Sequence, residues 1–461
     1  MGGQQDEATP CRPFEQRVRK VGAQAQPQRV AEVPSTGEVR VPVVLVQYAD
    51  VKFSASDPKA IFEGHVNGDD YKTEGGYGSV KEYFEDQSEG AFIPKFDVLG
   101  PVTLKNKMDH YGGNDKNGSD KNPRAMITEA CELLDKQENV NFARYDNDRD
   151  GYVDIVYVIY AGYGEASYPD KLEDTVWPHQ WSLAAPMELD GVKVMKYACN
   201  NELNGYRGTT IDGIGTFCHE FSHCLGLPDF YPTDGSSGFG MNCWSLMDYG
   251  SYNNDGRTPC GYTGYEKDFL GWRPLVEING ASTITLTAMS EGGQAYKVVN
   301  DANPDEYYVV EHRLKTKWDT YAPAEGMLVL HVDYDSKAWA NNTPNNDPAH
   351  PRMTVIPADN ILSDATVSGD TYPGKKNNTE LTATSTPAAE VYKGGYMNKD
   401  ITDISMSDGK VTFSFMKGAL GVPTLGEPTD ITAGGFTVEW EAVEVLSETE
   451  RGAGGFGHTG V

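Results

Sequence analysis

The sequence predicts an α+β fold in which a domain of mixed helices and strands precedes a β-sandwich. Residues 39–275 alternate between helical periodicity and short β-branched runs that are typical of buried strands. Beyond Phe269–Ile278 the helical signals fade, and short strands separated by turn residues dominate. The change of pattern near residue 275 therefore predicts two regions of different architecture, the first of them built on a twisted mixed sheet.

Each element of the first region has a local cause. Ser79, followed three residues later by Glu82, forms a capping-box pattern that predicts the start of a helix. A second helix is predicted because Met126, Ile127 and Ala130 fall on one side of it. A run of β-branched and aromatic residues predicts a long strand. The expected elements are a strand, a turn and a second strand in Val39–Phe53, helices in Gly78–Ser88 and Asn122–Gln137, and a strand in Tyr152–Gly164.

The second region is expected to consist almost entirely of β-strands. Turn clusters separate its short apolar segments, a pattern that favours an antiparallel sandwich. The expected strands lie in Ser282–Met289, Ala295–Val299, Glu306–Arg313, Gly326–Tyr334 and Lys410–Met416.

The two ends of the chain are expected to lie outside these regions. Residues 1–38 are rich in Gln, Arg, Ala and Pro without periodicity, as in a flexible tail. The stretch PTDITAGGFTVEW, residues 428–440, resembles the opening strands of a fibronectin type III module, but two strands cannot close a sandwich. The predicted limits are 39–275 for the mixed domain, 276–418 for the sandwich, and 419–461 for a truncated module with a disordered tail.

The composition disfavours several classes of partner. The 461 residues carry 68 Asp plus Glu against 39 Lys plus Arg, a formal net charge of −29. This charge argues against nucleic acid and anionic membrane surfaces as partners. No apolar run approaches the ~20 residues of a membrane-spanning helix, and residues 1–38 show no apolar core of a signal peptide. Seven cysteines without paired spacing do not imply a disulfide framework.

The segment Cys218–Tyr231 reads CHEFSHCLGLPDFY and contains the spacing His-Glu-x-x-His. Positions i and i+4 of an α-helix lie on the same face, so His219 and His223 can offer two imidazoles to one zinc ion. Glu220 lies too far round the helix to join them easily, but it can reach a water molecule at the metal. The alternative is a histidine pair on an ordinary surface helix.

A third metal ligand is expected shortly after this helix. Gly226 can adopt the left-handed conformation that ends a helix, and Pro228 prevents its continuation. The chain can then double back and direct Asp229 at the metal, since a carboxylate oxygen is an acceptable zinc ligand. The segment fits H-E-x-x-H-x-x-G-x-x-D, where the better-known motif has a third histidine.

The segment Ser245–Tyr249 follows with the pattern Ser-x-Met-x-Tyr. Such a turn places Met247 beneath a metal site as a polarisable, apolar floor. Tyr249 could ligate zinc or hydrogen-bond the tetrahedral intermediate of a hydrolytic reaction. The alternative for both residues is ordinary packing in the core.

An acidic loop, Asp146–Asp154, reads DNDRDGYVD and matches the front of a calcium-binding loop. Carboxylates that surround one point are costly unless a cation neutralises them. Position 12 of the loop is Tyr157 rather than glutamate, so a helix-loop-helix hand is not predicted, and a solvated acidic turn is the alternative. The expected calcium ligands are Asp146, Asp148, Asp150 and Asp154, with the backbone carbonyl of Tyr152.

Several stretches resemble the immune inhibitor A family of secreted, metzincin-like zinc metallopeptidases. The resemblance rests on GTFCHEFSHCLGLPDFY and SLMDYGSY, and on VPVVLVQYADVKF, DNDRDGYVDIVYVIYAGYGEA, WPHQW, DEYYVVEHR and GMLVLHVDY in the same order. One departure is Ser222, where the family commonly has glycine. The resemblance implies a metzincin-like catalytic domain, secretion, and a propeptide of which residues 1–38 would be a remnant. It also implies zinc ligation by His219, His223 and Asp229, Glu220 as base and Met247 in the Met-turn.

These features predict a secreted or cell-surface zinc endopeptidase that acts as a monomer on proteins or peptides. A metal-activated water would attack the peptide carbonyl, with Glu220 as general base. Tyr249 would help to stabilise the oxyanion. One alternative is a surface binding or adhesion protein with a structural zinc site, although such sites usually have four protein ligands. The other is an amidase or a glycan-processing metalloenzyme.

Overall fold

The computed structural model of the protein describes residues 32–72, 75–138, 140–168 and 171–417. The module and tail predicted for residues 419–461 lie outside this part, as do residues 1–31. Residues 32–35, which the sequence assigns to the tail, are at least partly buried. The N–H groups of Glu32 and Val33 donate to the carbonyl of Cys224 at 2.8 and 3.1 Å. The first strand begins at Gly37 and ends at Gln47. The prediction of a second strand before Phe53 was wrong, because the N–H of Tyr48 bonds the nearby carbonyl of Val51 in a local turn.

A six-stranded mixed sheet forms the centre of the first region. Its strands are β1 Gly37–Gln47, β2 Phe92–Thr103, β3 Tyr152–Val153, β4 Val156–Tyr163, β5 His179–Leu189 and β6 Val192–Leu203. The order is β2-β1-β4-β6-β3 with parallel neighbours, and β5 pairs with β6 in antiparallel fashion. Val43 and Val44 of β1 belong to different buried clusters. The sheet is therefore covered on both faces, as is usual where parallel strands dominate.

The strand predicted for Tyr152–Gly164 is divided into β3 and β4. Asp154 lies at the division, where its two carboxylate oxygens accept hydrogen bonds from the backbone N–H and side-chain amide of Asn147. Its own N–H donates to the carbonyl of Tyr145. The prediction of one continuous strand was wrong here because such local bonds compete with the sheet for the backbone.

Six helices belong to the described part of the first region. They are α1 Pro58–Asn67, α2 Val80–Ser88, α3 Met108–Tyr111, α4 Pro123–Glu138, α5 Ile214–Cys224 and α6 Gly264–Phe269. The capping box at the start of α2 is formed as predicted, with Ser79 and Glu82 bonding each other's backbone N–H groups. Within the described residues, no helix has both the length and the apolar character needed to cross a bilayer.

The second region contains all five strands that the sequence predicts. One sheet has the order β12-β11-β10-β9-β7, a second has the order β15-β16-β8, and β13 pairs with β14. The bounds are β7 Val276–Glu277, β8 Ser282–Leu286, β9 Tyr296–Asn300, β10 Asn303–Arg313, β11 Gly326–Asp333, β12 Met353–Val355, β13 Glu390–Val391, β14 Gly395–Tyr396, β15 Ile401–Ser407 and β16 Lys410–Phe415. A short helix, α7 Ser336–Ala340, follows β11.

The five-stranded sheet of the second region is buried on both faces. Tyr308 and Val310 of β10 pack in a cluster with the three-stranded sheet. Tyr307 and Val309, which point the other way, belong to the same cluster as the buried side of α5. The residues on either side of position 275 therefore share a hydrophobic core, and the described chain is one compact unit.

A buried ion network joins the two regions at the same interface. The fully buried guanidinium of Arg313 lies 2.7 Å from a carboxylate oxygen of Glu311 and 3.0 Å from one of Asp319. It also donates to the carbonyl of Gly261, in the segment before α6. Paired and hydrogen-bonded in this way, the charge meets the condition under which burial is tolerated.

Candidate metal centre

Helix α5 is held in place by its apolar side. Phe217 stacks on Tyr157 of β4 with 3.7 Å between the ring centroids, and Phe221 packs against Phe84 of α2. These contacts fix the rotation of the helix about its axis. Because residues four apart share a face, His219 and His223 project together on another side of α5.

The helix ends as the sequence predicts. Gly226 adopts φ +104°, a conformation that residues with a side chain rarely adopt. Its N–H donates to the carbonyl of His223, and the N–H of Leu227 donates to the carbonyl of Ser222. After this turn the N–H of Phe230 donates to the carbonyl of Met247 at 2.8 Å, which ties the returning chain to the methionine turn.

Three side chains converge beyond the turn. Oδ1 of Asp229 lies 3.2 Å from Nε2 of His219 and 3.2 Å from Nε2 of His223. Nδ1 of His219 bonds the carbonyl of Leu246 and Nδ1 of His223 bonds that of Leu227, both at 2.8 Å. A carbonyl only accepts, so each Nδ1 carries the proton. When the rings are neutral, each Nε2 therefore has its lone pair directed at the common point, which is the tautomer that metal ligation requires.

This arrangement fits a zinc ion. Oδ1 of Asp229 is buried and has no hydrogen-bond partner among the described residues, although two ring nitrogens lie close to it. Ligands of a tetrahedral zinc ion, bound at ~2.0–2.1 Å, are about 3.3 Å apart. The separations of 3.2 Å agree with that value. Among the described residues this cluster offers two imidazoles and one carboxylate, the number of protein ligands that catalytic zinc sites have, whereas structural sites usually have four.

The charges around the three side chains favour a cation. Burial lowers the pKa of His219, but the neighbouring carboxylates of Asp229 and Glu220 outweigh it and raise that pKa to about 9. Burial raises the pKa of Asp229, yet the two histidines hold it well below its ordinary value. The two opposite shifts describe one interaction, in which the ionised carboxylate of Asp229 stabilises positive charge at this point.

The remaining residues predicted for this site are Glu220, Met247 and Tyr249, and Ser222 is the departure from the family pattern. Glu220 is the next residue after His219 and is 8% exposed. Met247 is fully buried, and its N–H donates to the hydroxyl of Ser245. Tyr249 is half-buried at the start of a short 3₁₀ helix, and its N–H donates to Asp248. Ser222 fits the helix, since its hydroxyl donates to the carbonyl of Cys218 at 2.6 Å.

One residue at the centre has no counterpart in the sequence analysis. The side-chain amide of Asn342, 113 residues beyond Asp229, donates to Oδ2 of that aspartate at 2.5 Å. Its oxygen accepts the backbone N–H of Asp229 at 2.6 Å. The Asn-rich segment around Asn342 carries no spacing that would connect it with the helix, so no sequence signal identified it.

The acidic loop brings together part of its predicted set. One carboxylate oxygen each from Asp146, Asp148 and Asp154 lie within 4.8 Å of one another. Asp154 is buried, whereas Asp148 is exposed. Asp150 is outside this group: its Oδ1 accepts the N–H of Tyr152 at 2.7 Å. The loop thus gathers three carboxylates but uses the fourth for a turn.

Comparisons with known proteins give the chain a family context. Residues 61–273 match the catalytic domain described as immune inhibitor A peptidase M6. The chain is 30% identical over 290 residues to Immune inhibitor A of Bacillus thuringiensis subsp. alesti, covering 53% of this chain and 42% of that protein. It is 29% identical over 214 residues to the pre-pro-metalloprotease PrtV of Vibrio cholerae serotype O1 (strain M66-2), covering 42% of this chain and 23% of that protein. The matched part spans less than half the length of either relative.

Proposed function

Because residues 61–273 carry a catalytic domain of the immune inhibitor A peptidase M6 family, we propose that the chain is a zinc-dependent endopeptidase. The family predicted from the sequence is confirmed by this match and by the two relatives, one of which is named as a metalloprotease. We extend the proposal to the finer points of the prediction: a metzincin-like catalytic domain, a β-sandwich in the second region, action as a monomer, and a secreted or cell-surface location.

The observation that carries the proposal is the convergence of His219, His223 and Asp229. Two imidazole nitrogens and one carboxylate oxygen meet at zinc-ligand separations in a buried pocket. They leave one coordination position for water or substrate. A glutamate next to the first histidine supplies the general base that hydrolysis needs.

The reaction follows from the chemistry of these residues. When bound, zinc would polarise the peptide carbonyl and increase the acidity of the attacking water. Glu220 takes the proton released as that water adds to the carbonyl carbon, and then gives it to the leaving amine nitrogen. His219 and His223 would bind the ion through Nε2 as neutral ligands, while their Nδ1 protons are donated to backbone carbonyls. Tyr249 is proposed to donate a hydrogen bond to the oxyanion.

We also propose that the acidic loop binds calcium. The converging carboxylates of Asp146, Asp148 and Asp154 support it, because their mutual repulsion is relieved by a divalent cation. Asp150 and the carbonyl of Tyr152 complete the proposed set only if the loop rearranges on binding. This site would stabilise the fold next to β4 and would take no part in the chemistry.

The test of the main proposal is digestion of casein by the purified chain. The zinc is removed with a chelator and then restored, and His219→Ala serves as the inactive control. Cleavage that disappears with the metal and returns with it is the expected result. If the chain binds one equivalent of zinc but cuts neither casein nor a mixed peptide library, the endopeptidase proposal is wrong. A binding protein or an amidase would then be the remaining candidates.

A further inference from the structure

We propose that Asn342 is a positioning residue for the third metal ligand, so that the metal site depends on a segment outside residues 61–273, the part that matches the catalytic-domain family. The match ends at residue 273, whereas Asn342 follows α7 in the second region. The inference rests on the proposed function in one respect, namely that Asp229 ligates zinc.

Asn342 is built for this contact. Asn342 is only 4% exposed. Its backbone adopts φ +59°, a conformation that asparagine tolerates better than most residues. Its Oδ1 accepts the backbone N–H of Asp229 at 2.6 Å, and its Nδ2 donates to Oδ2 of the same residue at 2.5 Å. One planar amide therefore fixes both the backbone and the carboxylate of a single residue.

The two bonds decide which oxygen of Asp229 faces the histidines. Oδ2 is engaged by the amide of Asn342, so Oδ1 alone remains for the metal, 3.2 Å from each Nε2. Without the amide, a buried oxygen would lose its donor, which is costly unless the side chain turns to find another. Metal ligands commonly depend on such outer hydrogen bonds for their orientation.

The rest of the segment holds the neighbouring backbone. Nδ2 of Asn345 donates to the carbonyl of Phe230 at 2.7 Å, and Oδ1 of Asn346 accepts the N–H of Thr233 at 2.8 Å. The hydroxyl of Thr233 donates to the backbone carbonyl of Asn342. Residues 342–346 are thus hydrogen-bonded to residues 229–233 at several points, and within this segment Asn342 is the residue bonded to the carboxylate of Asp229.

The test replaces Asn342 in the full chain and measures zinc affinity rather than activity. Asn342→Gly removes both bonds to Asp229 while keeping a residue that accepts a positive φ. The backbone bond to Thr233 is also kept. We expect the zinc Kd, measured by competition with a chromogenic chelator, to rise ~10- to 100-fold. Asn341→Gly, at the exposed neighbour, is the matched control and should leave the Kd within about twofold.

A double-mutant cycle separates positioning from general destabilisation. If Asn342 acts through Asp229, Asn342→Gly should change the zinc Kd little in an Asp229→Ala background, because the carboxylate that Asn342 orients is already absent. The effects of the two substitutions would then not be additive. Equal loss of affinity in both backgrounds, or a lower melting temperature of the zinc-free protein with an unchanged Kd, would overturn the inference. Asn342→Asp also tolerates a positive φ but lacks the amide N–H that donates to Oδ2 of Asp229, so it is expected to weaken zinc binding as well. Failure of the parent chain to bind zinc would instead count against the proposed function.

Discussion

The protein contains two convergent sets of possible metal ligands, and they are built differently. His219, His223 and Asp229 lie in a largely buried pocket, where backbone carbonyls and Asn342 fix the free side of every ligand. Asp146, Asp148 and Asp154 lie in a loop that is partly exposed. Two carboxylates of the loop, those of Asp146 and Asp148, accept the N–H of Asp150 in addition to facing one another.

This difference in how the ligands are held should determine how tightly each set binds a metal ion. In the buried set, the orientation of each ligand is fixed before the ion arrives, so little ordering is required on binding. In the loop, the ion must compete with water and with the backbone N–H groups that already bond the carboxylates. We therefore expect tight zinc binding at the first set and weak calcium binding at the second.

The largest expected effect concerns Glu220, the proposed base beside the buried set. Glu220→Gln should lower kcat/KM by about a thousandfold, because the amide cannot take a proton from the attacking water. Zinc content should be unchanged, since Glu220 is not one of the three converging ligands. Peptide cleavage and metal content are measured on the same preparation, and near-normal cleavage in this variant would exclude Glu220 as the base.

The second effect tests the third ligand directly. Asp229→Ala should raise the zinc Kd by at least about a hundredfold, more than loss of an outer partner such as Asn342. Isothermal titration with zinc measures it. Asp154→Ala serves as the control from the other ligand set and should leave the zinc Kd unchanged. An unaltered Kd in Asp229→Ala would remove this residue from the ligand set.

The third effect is a loss of folding stability at low pH, which has to be measured before the release of metal from either set at low pH can be interpreted. His65 of α1 is buried between the rings of Phe62 and Tyr71, and burial lowers its pKa to about 4. Since its pKa in the unfolded chain is higher, the stability that the neutral ring permits is complete above pH ~6.5 and is lost as the pH falls toward 4. The cost between pH 6.5 and pH 5 is about 2 kcal/mol.

Urea unfolding of the zinc-free protein at the two pH values measures this loss. His65→Phe, which retains an aromatic ring in the apolar site, should lose less stability on acidification than the parent. An equal loss in both proteins would show that another group controls the acid sensitivity. With this baseline known, release of zinc at low pH can be separated from unfolding.

The smallest effect concerns the acidic loop. Calcium at about 1 mM should raise the melting temperature by roughly 2 °C, as expected for a weak site in a chain of this size. Asp148→Asn should abolish the increase. Asp150→Asn should preserve most of it if the three converging carboxylates are the principal ligands. If calcium does not change the melting temperature of the parent chain, the loop is a solvated acidic turn rather than a calcium site.

Much of the site was predictable because it depends on local geometry. The spacing of His219 and His223 determines that they share a helix face, whatever surrounds the helix. The left-handed turn at Gly226 follows from the absence of a side chain, and the structure confirms it. The capping box of α2 and the five strands of the second region were predictable for the same reason, since they depend on neighbours in sequence.

Other features follow from contacts between distant parts of the chain. The break between β3 and β4 occurs where Asp154 bonds Asn147, a competition that hydrophobic pattern does not report. The residues before and after position 275 share a core because the five-stranded sheet of the second region is covered on both faces. An alternating buried pattern identifies a strand, but it does not specify what covers each side.

By itself, then, the sequence determined which helix carries the histidines, how that helix ends and which residue could return as the third ligand. The tertiary structure alone decided which oxygen of Asp229 faces the metal site, since Asn342 lies 113 residues away and holds the other one. The physical reason is that spacing along a helix is fixed by backbone geometry within one turn. The orientation of a side chain after a turn is instead fixed by whichever distant groups pack against it.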